Sequence, residues 1–211
     1  MEKDFVLSLM SNKRSARSLQ KAVGPSEIGG CRRQVWHRVN STPVTNVDTL
    51  EMAAWMGTAI HTALENRIER ADPFHERYLT ELEVSADGIK GHIDVYDRVN
   101  SEVIDWKTTT KSKLSSKTYP WPSNQQRMQV HLYGYLLLAN DYLVDTVTLV
   151  GIPRDGNENH IAIHSEPYDA QIAKDGLAWL KEVEFADSPP EPERNVRFCR
   201  DYCQFYDATD Q

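Results

Sequence analysis

Two short apolar segments carry charged residues within them: Asp94 in "GHIDVYD", and Asp105 and Lys107 in "VIDWKT". An ionised carboxylate is costly to bury unless it is paired or binds a metal. If the segments are adjacent antiparallel strands, Asp94 and Asp105 lie side by side, and Asp105 and Lys107 point to the same face. Two carboxylates beside an ammonium group suit Mg²⁺ or Mn²⁺, hard cations that also bind phosphate oxygens.

The elements that must position these residues follow from the spacing of apolar residues. A 3.6-residue period predicts a helix over 48–70, whereas segments near 78–86, 89–99 and 102–109 alternate with period two and predict an antiparallel meander. The later elements are a helix over 123–140 capped by Ser123, a strand over 145–153, an edge strand near 160–166 and a helix over 168–186. This order predicts an α/β fold with a mixed central sheet flanked by helices.

Composition limits the classes of function. The chain has 211 residues and a net charge of −7, which argues against a protein that coats nucleic acid non-specifically. Two basic segments stand out, "NKRSARSLQK" and the Ser/Thr-rich "KTTTKSKLSSK" with Lys107, Lys111, Lys113 and Lys117, although a solvated loop is the ordinary interpretation of each. No apolar run reaches the roughly 18 residues that span a bilayer, and the acidic start is unlike a secretory signal. We therefore expect one cytoplasmic domain without a membrane segment.

The three cysteines are Cys31, Cys199 and Cys203. An odd number with this uneven spacing favours a metal or cluster site over a secreted disulfide framework. Ordinary buried thiols are the alternative. Cys31 lies in a short predicted helix within residues 25–39, for which Pro25 and Ser26 are the predicted N-terminal cap.

Four segments in order resemble the PD-(D/E)xK nuclease superfamily, and specifically its RecB-like branch. An acid two residues before a lysine is common by chance, whereas all four segments on the expected elements are a strong signal. The segments are "GTAIHTALE" with His61, "GHIDVYD" with Asp94, "VIDWKT" with Asp105 and Lys107, and "QVHLY" with Gln129 and Tyr133, which resembles the branch's Q-x-x-x-Y helix motif.

The resemblance implies a restriction-endonuclease-like core and a metal-dependent DNA exonuclease of phage or prokaryotic recombination or DNA processing. It implies that His61, Asp94, Asp105 and the backbone carbonyl of Trp106 bind Mg²⁺ or Mn²⁺ and that Lys107 orients the nucleophile. Gln129 and Tyr133 would position the DNA strand. A homo-oligomer or a recombination partner protein would fit this role. The alternative function is a catalytically silent DNA-binding or assembly subunit; a hydrolase of small phosphorylated molecules has little support without a phosphate-binding glycine loop.

The cysteines narrow the resemblance further. Iron–sulfur members of this branch, among them CRISPR-associated adaptation nucleases and phage exonucleases, have one cysteine before the core and three after it. "SEIGGCRRQVW" and "RFCRDYCQFYD" look like the two halves of such a site, which would join the N-terminal segment 1–45 to the tail 188–211 through a 4Fe–4S cluster. This chain has no fourth cysteine, so Asp207, Asp210 or His37 would have to replace it, and zinc is the alternative metal.

Overall fold

The computed structural model describes residues 23–45, 52–193, 199–200 and 203–206. The helices are α1 Arg32–Val39, α2 Met52–Ala71, α3 Lys111–Leu114, α4 Asn124–Leu138 and α5 Ala170–Glu184, with a short 3₁₀ helix at Glu158–His160. The strands are β1 Tyr78–Ala86, β2 Ile89–Asp97, β3 Glu102–Thr109, β4 Thr146–Pro153 and β5 Ala162–Pro167.

The five strands form one sheet in the order β1-β2-β3-β4-β5. All neighbours are antiparallel except β3 and β4, which are parallel. Asp87 and Gly88 join β1 to β2 with φ values of 50° and 78°, as the primed turns of tight hairpins require. The parallel pair needs a long crossover, and α3 and α4 lie within it. The predicted mixed sheet flanked by helices is therefore confirmed.

Helix α4 packs against the sheet and forms much of the core. Leu132 and Leu136 of α4 and Ile93, Val103 and Leu149 of the strands are all buried. The predicted cap at Ser123 is confirmed: its hydroxyl accepts a hydrogen bond from the backbone N–H of Gln126, whose side-chain carbonyl accepts one from the N–H of Ser123. This reciprocal cap satisfies two backbone donors and fixes where α4 begins.

The predicted start of the first helix was wrong. Helix α1 begins at Arg32, and its N-cap is Cys31 rather than Ser26. The cause is the turn before it, in which Gly29 has a φ of +77° and the N–H of Gly30 donates to the carbonyl of Glu27. A left-handed residue at this point prevents a helix from continuing through residues 25–30.

Helix α2 lies across β1, β2 and β3 with an apolar stripe that is only half-buried. None of its residues is fully buried. At Gly57 an added Cβ would be 3.1 Å from the Thr108 hydroxyl, so the glycine permits a close approach of α2 to β3. Among the described residues, no helix combines the length and apolar character needed to cross a membrane.

Candidate active site

The candidate site forms where β2 and β3 separate. Their pairing ends with Val95 opposite Ile104, so Asp94 and Asp105 are the next residues in that register. From this point β3 continues along β4 only, and its freed backbone N–H at Trp106 donates to Oδ2 of Asp94 over 2.8 Å. The predicted neighbouring strands thus bring the two carboxylates together at an opening in the sheet.

Asp105 is a buried carboxylate with incomplete compensation. It is 2% exposed, and its Oδ1 accepts a hydrogen bond of 3.2 Å from Nε2 of Gln129. Its Oδ2 lies 2.8 Å from Nζ of Lys107, but the geometry is that of an ion pair without a well-directed hydrogen bond. Burial raises the pKa of Asp105 to about 6; the Lys107 charge opposes this shift and the Asp94 charge adds to it.

His61 approaches the carboxylates from α2. Its Nδ1 lies 3.2 Å from Oδ1 of Asp94, and the side chain is partly open to solvent. The hydrogen bond to Asp94 raises the pKa of His61, while burial acts in the opposite direction. One imidazole and two carboxylates from three elements therefore meet at this opening.

Gln129 and Tyr133 reach the site from α4, one helical turn apart. Nε2 of Gln129 donates to Oδ1 of Asp105 and also to Oη of Tyr133, at 3.1 Å. The Tyr133 ring packs against the backbone at Gly91, where an added Cβ would be 2.7 Å from the ring. The glycine three residues before Asp94 is thus needed for α4 to approach β2.

These side chains suit a hard divalent cation in their chemistry. The buried Oδ2 of Asp105 has no well-directed hydrogen bond, and a cation would satisfy it better than the present ion pair does. Nevertheless, no group of three or more His, Cys, Asp or Glu side chains in the described ranges is already arranged to hold a metal ion. For a cation to bind there, Asp105 would have to exchange its ion pair with Lys107 for the metal.

The carboxylates open into a cleft of about 1120 Å³ whose wall includes residues that the sequence analysis missed. Lys90 and His92 precede Asp94 at two-residue intervals on β2, so all three side chains share a face. Both side chains contact one acid: Oε2 of Glu83 lies 2.6 Å from Nζ of Lys90 and 3.1 Å from Nε2 of His92. The period-two spacing back from Asp94 was the signal that could have identified them.

The three cysteines are free thiols, and Cys31 and Cys199 lie close enough to affect the Cys203 thiol. Cys31 is buried, Cys199 and Cys203 are partly buried, and the N–H of Cys203 donates to the Cys199 carbonyl over 2.8 Å. Burial raises the pKa of the Cys203 thiol, and the neighbouring Cys199 and Cys31 thiols raise it further. The proposed fourth ligands, Asp207 and Asp210, lie outside the described residues.

Other contacts also join the N-terminal segment to the tail. The ring of His37 on α1 stacks on Phe205 with centroids 5.5 Å apart. The N–H of Thr45 donates to the carbonyl of Gln204, and its hydroxyl donates to the carbonyl of Tyr206. These contacts join the described parts of the two segments directly, and a metal centre between them stays a prediction.

Comparisons with known proteins bear on the family and the fold. Residues 69–208 match the family model of the PD-(D/E)XK nuclease superfamily. The solved structure of SSO0001 has 21% identity and a TM-score of 0.59, covering 97% of this chain and 94% of its own. A candidate exonuclease from Eubacterium rectale has 11% identity and a TM-score of 0.54, covering 96% and 93%.

An alkaline exonuclease from Laribacter hongkongensis has 12% identity and a TM-score of 0.52, covering 78% of this chain and 88% of its own. Its complex with dAMP has 13% identity and a TM-score of 0.50 over the same coverage. At these identities the solved structures show a shared fold. A comparison with curated protein sequences found no significant match.

Proposed function

This chain belongs to the PD-(D/E)XK nuclease superfamily, and we propose that it is a Mg²⁺- or Mn²⁺-dependent exonuclease that hydrolyses phosphodiester bonds in DNA. The observation that carries the proposal is the meeting of Asp94, Asp105 and Lys107 where β2 and β3 separate, with His61 and Gln129 in contact with the two acids. A role in phage or prokaryotic recombination, with a second copy or a recombination protein as partner, stays a prediction.

The proposed metal ligands are the side chains of His61, Asp94 and Asp105 and the backbone carbonyl of Trp106. A divalent cation held there would polarise the scissile phosphate and lower the pKa of a bound water. The protein must keep both carboxylates ionised and free to turn towards the cation. Asp94 is held by the Trp106 N–H through Oδ2, which leaves Oδ1 shared only with His61 among the bonds described above.

Lys107 supplies the positive charge nearest to the reacting phosphate. Its side chain is 21% exposed, so the ammonium group can leave Asp105 and reach a phosphate oxygen or the attacking water. There it would orient the nucleophile and stabilise the charge that develops in the transition state. Gln129 and Tyr133 act by holding Asp105 and the floor of the cleft in place.

The alternative function, a silent DNA-binding or assembly subunit, is less well supported. A subunit without activity has no need to retain a buried acid whose pKa is raised, since that acid reduces stability. The fold shared with the Laribacter hongkongensis exonuclease, and the nucleotide bound in that protein's complex, support degradation from an end rather than cleavage within the strand.

The decisive experiment compares end-labelled linear DNA with covalently closed circular DNA, each with Mn²⁺ or with EDTA. We expect mononucleotides from linear DNA with Mn²⁺, intact circles and no reaction in EDTA. Cleavage of the circular DNA would show that the protein is an endonuclease and not an exonuclease. Intact linear DNA at every metal tested would favour the silent subunit.

The cysteine site is a separate part of the proposal. We propose that Cys31, Cys199 and Cys203 bind one metal centre, with a 4Fe–4S cluster as first choice and zinc as the alternative. Their mutual effect on the Cys203 thiol supports this, although the thiols would have to approach more closely. Metal analysis of protein purified without oxygen tests this. Iron together with sulfide would support the cluster, and zinc would support a tetrahedral zinc site. If neither metal is found, the three cysteines are ordinary thiols. Unchanged iron in Asp207→Ala would exclude Asp207 as the fourth ligand.

A further inference from the structure

The segment that follows β3, residues 110–123, contains the one-turn helix α3 and is not used by the proposed mechanism; we call it the basic loop. Lys111, Lys113 and Lys117 are all exposed. Within the part of the chain that the structure describes, none of the three forms an ion pair, although the whole chain has a net charge of −7 and an excess of acids. Three ammonium groups left without acidic partners in one short segment are suited to bind a polyanion.

An aromatic side chain projects from the same basic loop. Tyr119 is 80% exposed and, of the three most exposed aromatic rings among the described residues, is the one that lies in this segment; the other two are Phe74 and Phe185. Its backbone is held by a hydrogen bond of 3.0 Å from its N–H to the hydroxyl of Ser116, and Pro120 restricts the backbone beyond it. The ring is therefore displayed on a constrained turn rather than at a free chain end.

The basic loop is anchored beside the candidate active site. Leu114 and Trp121 cover Gly151 on β4, where an added Cβ would be 2.9 Å from Cζ2 of Trp121 and would also clash with Leu114. Gly151 is the direct partner of Lys107 in the parallel register. Neighbouring strands are about 4.8 Å apart, so the anchors lie close to Lys107.

Backbone hydrogen bonds complete the attachment. The N–H of Lys111 donates to Oδ1 of Asp155 over 2.7 Å, and the N–H of Arg154 donates to the carbonyl of Thr109 over 2.8 Å. Four residues of chain span at most about 14 Å, so Lys111 lies within a few nucleotides of Lys107 on any DNA strand in the site.

We propose that the basic loop is a second DNA-binding surface, which holds single-stranded DNA next to the active site. The three lysines contact the phosphates, and the Tyr119 ring stacks on an unpaired base. Single-stranded DNA is the expected ligand because a base inside a duplex is already stacked on both sides, whereas an unpaired base offers a free face to an aromatic ring. This inference rests on the proposed nuclease function only in that the bound strand would be the substrate. The binding itself needs neither a metal nor catalysis.

The test measures binding of fluorescent poly(dT) in EDTA over a range of salt concentrations. One variant replaces Lys111, Lys113 and Lys117 by Gln, and a second is Tyr119→Ala. The matched control replaces Lys174 and Lys181 by Gln, which removes two exposed lysines from α5. Tyr119→Phe keeps the ring and tests whether stacking or the hydroxyl matters, and thermal melting checks that each variant is folded.

We expect the salt dependence of the lysine variant to weaken by about 2 in log–log slope, since each phosphate contact to a single strand contributes about 0.7. Tyr119→Ala should bind about tenfold more weakly, while Tyr119→Phe and the α5 variant should bind like wild type. Wild-type affinity in either the lysine variant or Tyr119→Ala, or no binding of poly(dT) by the wild-type protein, overturns the proposal. If the loop variants bind poly(dT) like wild type but the protein cleaves DNA, the loop proposal fails and the nuclease function stands. If the loop variants lose binding but the wild-type protein cleaves no DNA, the loop proposal stands and the nuclease function fails.

Discussion

Nζ of Lys107 lies 2.8 Å from Oδ2 of Asp105, two positions earlier on the same strand. The lysine is thus the counter-ion of a buried carboxylate that is also a proposed metal ligand. An ammonium group and a divalent cation would compete for the same oxygen, so metal binding should release Lys107 towards the substrate. This relationship explains how one strand could supply both a metal ligand and a mobile positive charge.

Replacing Lys107 tests its role in the reaction. We expect Lys107→Ala to lower the rate of DNA cleavage about 10²- to 10³-fold, the usual loss when one stabilising donor is removed from a transition state. Because Lys107 is the counter-ion of the buried Asp105, its removal should also lower stability, so thermal melting must show that the variant is folded at the assay temperature. Single-turnover kinetics with saturating Mn²⁺ measures the effect, with Lys174→Ala as the charge-matched control on α5. Wild-type turnover in Lys107→Ala would remove this residue from the mechanism.

The two carboxylates can be tested by metal affinity. Asp94→Asn and Asp105→Asn should each weaken Mn²⁺ binding by at least about tenfold, because even residues behind the ligands often contribute that much and an amide lacks the charge that attracts a hard cation. Isothermal titration calorimetry measures this directly, with Glu184→Gln, an exposed acid at the end of α5, as the control. Unchanged affinity in both Asp variants would make the carboxylates structural.

The central sheet and the acids at its opening were predictable because local signals specify them. Period-two alternation identifies β2 and β3, and the turn-like breaks between them imply the antiparallel pairing that brings Asp94 next to Asp105. The cap at Ser123 likewise depends only on the four consecutive residues from Ser123 to Gln126. Such features depend on neighbours in the sequence or on one hairpin, so the sequence is enough to predict them.

Several of the features that were missed depend on contacts between distant segments. The pairing of Lys90 and His92 with Glu83 requires the β1–β2 register, and the role of Gly91 requires the position of Tyr133 on α4. The start of α1 depends on a single left-handed glycine that the predicted cap at Ser26 overlooked. Packing between distant segments decides the first two, whereas the two-residue spacing back from Asp94 and the glycine turn before α1 are local signals that were overlooked.

A second, partly buried cluster of charged and polar side chains fixes α4 to the sheet. Glu166 of β5 accepts hydrogen bonds from Nε and Nη2 of Arg127 at 2.8 and 2.7 Å, and its Oε1 lies 3.2 Å from Nε2 of His131. The N–H of Asp169 donates to Nδ1 of His131, so the proton of the neutral ring is on Nε2 and points to Glu166. Helix α4 also carries Gln129 and Tyr133, so this cluster supports the site.

The cluster predicts a change in acid stability. Arg127 is the main cause that lowers the pKa of Glu166 from 4.5 to about 2, against the effect of burial. The stabilisation is therefore complete above pH 4.5 and is lost as the pH falls from 4.5 towards 2. We expect Glu166→Gln to lower the melting temperature by several degrees at pH 7 and by much less at pH 3, with Glu184→Gln as control. A constant difference across this range would contradict the assigned cause.

The last prediction concerns the stability of the metal-free protein. Burial raises the pKa of Asp105 from 3.8 to about 6, so between these values the folded chain binds more protons than the unfolded chain. Stability without metal should therefore fall as the pH rises through this window, and the full penalty should remain above it.

Asp105→Asn removes the buried charge and leaves Lys107 able to reach solvent. In EDTA we expect this variant to melt a few degrees above wild type at pH 8 and close to wild type at pH 4, although it should be inactive. Mn²⁺ should then stabilise wild type more than the variant, because only the carboxylate gains a cation as its partner. Melting temperatures of the two proteins, measured at both pH values with EDTA and with Mn²⁺, test this. A variant less stable than wild type at pH 8 in EDTA would show that the Lys107 ion pair outweighs the cost of burying Asp105.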